Sequence, residues 1–193
     1  MIQADLNKKI RGIYAITPDQ TLELNSIENT IKKYNIQILQ YRRKNLNANT
    51  QLKEAKQLQQ LCQKHHTLFI INDDINLAQK IKADGVHLGA QDDSISIARA
   101  RLREGAVIGV SCYNDVDYAL KAQQQGANYV AFGALFPSST KPNAVQCSLD
   151  TITQAKPSLN IPIVGIGGIN FDNQQNAFDA GCDAVAMINA LST

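Results

Sequence analysis

"TLFIINDDINLAQKIKADGVHLG", residues 67–89, decides the fold. It opens on an apolar run, "TLFIIN" (67–72), of the length and continuity expected of a strand buried on both faces. It closes on a second such run, "GVHLG" (85–89). Between them "INLAQKI" reads as a short helix with Asp74 as its N-cap. The exit "ADG" places a small residue and an acid just before the second run, with glycine available for the helix C-cap. Strand, helix and strand in this order form a unit of a parallel sheet.

The same alternation continues in both directions. Further runs lie at 12–17, 36–42, 106–112, 129–136, 161–167 and 184–191, which brings the total to eight. The segments between them carry a helical period, as with Leu52, Ala55, Leu58 and Leu61, or Val116, Ala119, Leu120 and Ala122. The exits "GANYVAFG" and "GCDAVAM" repeat the pattern of a small residue and then Asn or Asp. Eight βα units predict an α/β protein of the (β/α)8 TIM-barrel class, as a single domain over residues 1–193. An open doubly wound sheet is the alternative, but "GIYAITPDQT" lacks the glycine-rich dinucleotide turn. The sequence ends at Thr193, soon after the eighth run, so the final helix is expected to be short or missing. Bare apolar surface near strands eight and one would then favour a partner subunit, and a homo-oligomer is left open.

Composition narrows the function classes. Apolar residues make up 44% and charged residues 19% of the chain, and the net charge is only +2 with no basic block. Neither nucleic acid nor a membrane surface is expected as a partner. Cys62, Cys112, Cys147 and Cys182 show no metal-ligand spacing and read as free thiols in a reducing compartment. The opening "MIQADLNKKI" has no apolar run of a signal peptide, and no stretch approaches a membrane span. A cytoplasmic location is the expectation.

Barrel enzymes place their sites at the C-terminal ends of the strands. Run two ends "LQYRRK", where alternation sends Gln40, Arg42 and Lys44 to one side and Tyr41 and Arg43 to the other. An amide, a guanidinium and an ammonium at a barrel mouth suit a polyanion; a solvated strand end is the plainer reading. Run three ends in Asn72, Asp73 and Asp74, and run four is followed by Asp92 and Asp93. With Asp74 spent as a cap and Asp93 near the next helix, Asp73 and Asp92 are the candidate ligands of Mg²⁺ held against a substrate phosphate. His87, inside "GVHLG", reads more simply as a packed, hydrogen-bonded core residue. Run five ends at Ser111, and run six leads into "FPSSTKP", which offers Ser138, Ser139, Thr140 and Lys141 to a phosphate. Run seven ends "GIGGIN", where Gly168 in a turn before a helix suggests an anion site, with Ile188 and Asn189 at the end of run eight beside it. Two phosphate-binding halves point to two phosphorylated small-molecule substrates, one of them a diphosphate that requires metal.

Taken together, "YAIT", "LQYRRK", "INDDINLA", "ADGVHLGAQD", "IGVS", "FPSSTKP", "IPIVGIGGI" and "AGCDAVAMI" resemble the thiamine-phosphate synthase family in order along nearly the whole chain. The resemblance implies a transferase of thiamine biosynthesis that couples (4-amino-2-methyl-5-pyrimidinyl)methyl diphosphate with thiazole phosphate. It implies that Gln40, Arg42, Lys44, Asn72, Ser111 and Lys141 hold the pyrimidine diphosphate, with Mg²⁺ as cofactor on Asp73 and Asp92. It implies that Ser138, Thr140, Gly168, Ile188 and Asn189 hold the thiazole phosphate. Arg42, Lys44 and Lys141 are the candidates for neutralising the leaving group; Tyr41, Arg43 and Ser139 are grouped with the binding residues as their neighbours. The family often has Thr at Ser138, Ser at Asn189 and His at Tyr113. Two alternatives stay open: an isomerase like the related thiazole tautomerases, and a catalytically silent phosphate-binding barrel.

Overall fold

The computed structural model describes residues 9–89, 94–137 and 145–188. Its strands are β1 (Gly12–Ile16), β2 (Ile38–Tyr41), β3 (Leu68–Asn72), β4 (Gly85–Leu88), β5 (Val107–Tyr113), β6 (Tyr129–Phe132), β7 (Ile163–Ile166) and β8 (Ala184–Met187). They alternate with α1 (Leu24–Tyr34), α2 (Ala48–Lys64), α3 (Ile75–Ile81), α4 (Ile95–Arg101), α5 (Val116–Gln124), α6 (Leu149–Ala155) and α7 (Gln174–Asp179); a 3₁₀ turn, Lys156–Ser158, follows α6. Each strand pairs in parallel with the next, and β8 returns to β1 with Gly12 opposite Ala184 and Tyr14 opposite Ala186, closing the barrel. The expected (β/α)8 fold is therefore present, and the open sheet is excluded. An eighth helix would fall in 189–193, outside the described residues.

Strand alternation divides the apolar residues into two cores. Ile10, Tyr14, Ile16, Ile38, Ile70, Val107, Tyr129, Ala131, Val164, Ala184 and Ala186 fill the barrel interior. Their outward neighbours, among them Ala15, Leu39, Phe69, Ile71, Val86, Ile108, Val130 and Val185, meet the apolar stripes of the helices. Small residues make room where bulky ones intrude. A Cβ at Gly109 would land on the ring of Tyr129. Among the described residues the outward faces of β8 and β1 are covered: Ala15 and Val185 are 0% exposed and Met187 is 2% exposed. A stack of Tyr34 on Phe171, ring centroids 4.2 Å apart, ties the end of α1 to the segment ahead of α7.

The recurring Asp or Asn before a strand has a definite use. Asp84 donates its N–H to the carbonyl of Phe69 (3.1 Å) while its Oδ2 accepts the N–H of Phe69 (3.0 Å). Asn128 makes the same two-bond clasp on Ile108 (2.7 and 2.8 Å), and Asp183 on Ile163 (2.8 and 2.8 Å). Gln37 does so on Ile13, at 3.1 and 2.8 Å. Each clasp joins the residue ahead of an even strand to the start of the odd strand before it, and satisfies an N–H that would otherwise lack a partner. The C-cap expectation holds at Gly126 and Gly181, both with positive φ, but after α3 it is Lys82, at φ 55°, that turns left-handed. Helix entries follow the ordinary chemistry: Asn47, Asp74, Ser94, Asp115 and Ser148 each accept the N–H three residues on.

Gly109→Ala should overpack the interior against Tyr129 and lower unfolding stability by about 1–3 kcal/mol in a urea titration. A change within about 0.5 kcal/mol, the range of an ordinary surface substitution, would show that the interior has slack there.

Candidate active site

Four strands deliver polar side chains to the C-terminal end of the barrel. On β2, Gln40 points inward, is only 3% exposed, and donates from Nε2 to the hydroxyl of Tyr14 at 2.8 Å. Two residues on, Arg42 is fixed through its backbone. Its N–H donates to Thr17 Oγ1 (2.8 Å), the Thr17 hydroxyl donates back to its carbonyl (3.1 Å), and Thr17 N–H donates to the Gln40 carbonyl (2.9 Å). The half-buried guanidinium of Arg42 makes no hydrogen bond or ion pair with a described residue, so its donors remain available to an anion. Lys44 places Nζ 3.3 Å from Asp73 Oδ2, bridging the ends of β2 and β3.

The three residues at the end of β3 take different places, and the expected cap at Asp74 is present. Asn72 is the last strand residue. Asp73 donates its N–H to the His87 carbonyl (2.9 Å) and then turns the chain with φ 61°, which lifts it out of the sheet. Asp74 accepts the N–H of Leu77 at 2.9 Å and caps α3. The strand therefore ends in acids because the chain leaves the core there, with one carboxylate at the mouth and the next holding a helix.

Inside the barrel the structure reveals a continuous polar line. The Tyr14 hydroxyl meets the Tyr129 hydroxyl at 2.8 Å; the Tyr129 hydroxyl meets His87 Nδ1 at 2.9 Å; His87 Nε2 meets Ser111 Oγ at 2.8 Å. His87 is thus the packed, hydrogen-bonded residue expected, and it also reaches a candidate site residue. Burial first, and each other's proximity second, push the Tyr129 phenol well above its ordinary range; burial does the same to Tyr14. Both stay neutral hydroxyls at any ordinary pH. Period-2 alternation places Tyr14 and Tyr129 on the inward face with Gln40, which is the one sequence signal for this line; their mutual contact is 115 residues apart in the chain. Just past Ser111, the β5–β6 register shifts, and Tyr113 stands at φ 57° with 47% of its surface exposed.

On the opposite side, Gly167 and Gly168 have φ 97° and 63°, and a Cβ at Gly168 would strike the carbonyls of Phe136 and Pro137. The turn is pressed against the segment that follows β6. The helix after it begins only at Gln174, so its N-terminus does not lie on the Gly-Gly turn as the sequence suggested. What the turn could offer an anion is its own N–H groups. Ile188 follows Ala184 and Ala186 on the interior side of β8. Asp92, Asp93, Ser138, Ser139, Thr140, Lys141 and Asn189 lie outside the described residues.

Tyr41 and Arg43 are not part of the mouth. Tyr41 belongs to the helix-facing core, and its hydroxyl donates to Glu54 Oε2 of α2 at 2.9 Å. Arg43 Nε lies 3.5 Å from the same oxygen, and its guanidinium is buried, with Nε and Nη1 lacking a hydrogen-bond partner. Alternation turns these two residues onto the helical layer, which corrects their grouping with the substrate contacts.

Among the described residues no group of three or more His, Cys, Asp or Glu side chains is placed to hold a metal ion; Asp73, half-buried at the rim beside Lys44, is the candidate oxygen ligand there, of the hard type that Mg²⁺ takes.

Comparison with known proteins places the chain in a family. The family model described as thiamine monophosphate synthase matches residues 13–191. The thiamine-phosphate synthase of Thioalkalivibrio sulfidiphilus is 41% identical over 190 residues, 97% of this chain and 90% of that protein. The thiamine-phosphate synthase of Methylobacillus flagellatus is 46% identical over 186 residues, 95% of this chain and 88% of that one. Among solved structures, thiamine phosphate pyrophosphorylase from Pyrococcus furiosus superposes with a TM-score of 0.83 at 30% identity, covering 95% of this chain and 88% of that chain. With motif order, barrel closure and relatives in agreement, the chain belongs to the thiamine monophosphate synthase family.

Proposed function

We propose that this chain is a Mg²⁺-dependent transferase that joins (4-amino-2-methyl-5-pyrimidinyl)methyl diphosphate to thiazole phosphate, forming thiamine phosphate and releasing diphosphate. The observation that carries the reading is the gathering of Gln40, Arg42, Asn72 and Ser111 with the Lys44–Asp73 pair at the ends of β2, β3 and β5. That set is cationic, rich in donors and contains a metal-type carboxylate, which is what a departing diphosphate needs. A tautomerase-like isomerase or a silent barrel would have little need for the full combination.

In the reaction, the bond between the pyrimidine methylene carbon and the diphosphate oxygen breaks, and its electron pair leaves with the diphosphate. The thiazole nitrogen lone pair forms the new C–N bond. Arg42, Lys44 and Lys141 neutralise the charge that grows on the leaving oxygens, and Asn72 and Ser111 orient them. Asp73 and Asp92 would hold Mg²⁺, which supplies further charge neutralisation on the diphosphate when bound. Gly168, Ser138, Thr140, Ile188 and Asn189 place the thiazole phosphate so that its nitrogen faces the methylene carbon. Catalysis then rests on positioning and electrostatics, and no general base is required for attack by a neutral nitrogen.

Location and partners follow the same reading. Among the described residues no helix is long and apolar enough to cross a membrane. The four cysteines are unpaired and buried, and burial pushes Cys112 and Cys182 up to about 12. Such thiols fit a reducing cytoplasm, and the substrates are small molecules.

Purified protein given both substrates should release diphosphate with matching thiamine phosphate only when Mg²⁺ is present, and chelation should stop it. Release without thiamine phosphate, or no release by folded protein, overturns the assignment. Asp73→Ala should lower turnover by about 100-fold or more while barely changing the melting temperature. Asp74→Ala should do the reverse, costing about 1 kcal/mol of stability through the lost cap and little turnover. Equal losses in the two variants would contradict the division of the acids.

A further inference from the structure

We propose that Tyr14, Tyr129 and His87 are positioning residues that fix the direction in which Ser111 presents its hydrogen. The inference follows from counting hydrogens along the buried line Gln40–Tyr14–Tyr129–His87–Ser111. Four contacts of 2.8–2.9 Å need one hydrogen each. With the Gln40 amide oriented so that Nε2 faces Tyr14, that group can only donate, and the Tyr14 oxygen accepts there. Two arrangements of the rest remain.

In the first, Tyr14 donates to Tyr129, Tyr129 donates to His87 Nδ1, and His87 donates from Nε2 to Ser111. Every buried hydrogen has an acceptor, and the Ser111 hydroxyl keeps its own hydrogen to give to the barrel mouth. In the second, Tyr129 donates to Tyr14, His87 donates from Nδ1 to Tyr129, and Ser111 turns its hydrogen inward to Nε2. That arrangement leaves the Tyr14 hydroxyl hydrogen without an acceptor among the described residues. The side chain is 1% exposed, and an unspent buried donor is the costly outcome. The first arrangement therefore gives every buried hydrogen an acceptor, with His87 carrying hydrogen on Nε2.

Geometry supports the count. The His87 and Tyr129 rings lie 5.6 Å apart at an interplanar angle of 24°, and the Tyr14 and Tyr129 rings are set edge-on at 6.0 Å. Gly109 leaves the space that Tyr129 fills. None of the three rings needs to move for the line to operate. The consequence is that Ser111 is held as an outward donor, the polarity an anion requires. This consequence rests on the placement of Ser111 against the diphosphate; the hydrogen count does not.

The first test needs no substrate. Nitrogen NMR of imidazole-labelled protein, with His65→Gln and His66→Gln used for assignment, should show a bare Nδ1 and a protonated Nε2 on His87. Tyr129→Phe removes the donor to Nδ1 and should bring the other tautomer into view; Tyr14→Phe should do so more weakly, and serves if the first variant fails to fold. A protonated Nδ1 in the parent protein overturns the proposal outright. The second test measures inorganic diphosphate binding by calorimetry with Mg²⁺ present. Ser111→Ala and Tyr129→Phe should each weaken it by about tenfold, the scale of one charge-assisted hydrogen bond, and the double variant by no more than either alone. Additive losses overturn the coupling between the two residues. Loss of the tautomer with binding intact would place the fault in the function assigned to Ser111 and leave the line itself standing.

Discussion

A parallel barrel has one recurrent problem, the backbone N–H groups at the start of its strands that face a neighbour not yet begun, and this chain meets it on its four odd strands with reciprocal clasps. Gln37, Asp84, Asn128 and Asp183 each give a backbone hydrogen to a neighbouring strand and accept one back on the side chain. The side chain substitutes for a rung of the ladder where the ladder has not begun. Cations reinforce three of them: Arg103 reaches Asp84, Arg99 reaches Asn128, and Lys156 reaches Asp183. With register set at this end, alternation determines what arrives at the other end. The inward parity that buries Tyr14 and Ile38 also points Gln40 at Tyr14 and carries Ser111 to His87.

The interior above the clasps is filled, but one line through it is polar. It survives because its members satisfy one another and because the two phenols remain neutral. A carboxylate or ammonium in the same place would carry an unpaired charge in the driest part of the fold. At the mouth, by contrast, the charged pair Lys44 and Asp73 meets half in solvent.

Much of this was legible beforehand, and the rest was hidden for identifiable reasons. The eight runs and the cap at Asp74 are local patterns, and they read correctly because neighbours in sequence create them. The recurring Asp or Asn before a strand was visible, but its use was not, since its partner lies on a different strand. The polar line joins residues from five strands, so only parity hinted at it. Thr17, which ties the end of β1 to Arg42, carries no signal of its own. Tyr41 and Arg43 show the opposite error: proximity to charged neighbours suggested a substrate contact, while alternation already turned them toward Glu54. At Gly168 the motif was read as a helix entry, yet Asn170 and Asn173 bond to each other's backbone in a turn that delays α7.

The clasps also set the grain of the molecule. Each joins β1 to β2, β3 to β4, β5 to β6 or β7 to β8, and none joins β2 to β3, β4 to β5 or β6 to β7. The natural repeat is therefore a pair of βα units, four to a barrel. A circular permutation opened in the segments after β2, β4 or β6 keeps every clasp within a continuous piece of chain. One opened after β1, β3, β5 or β7 asks the two ends of the new chain to find each other before the clasp between them can form.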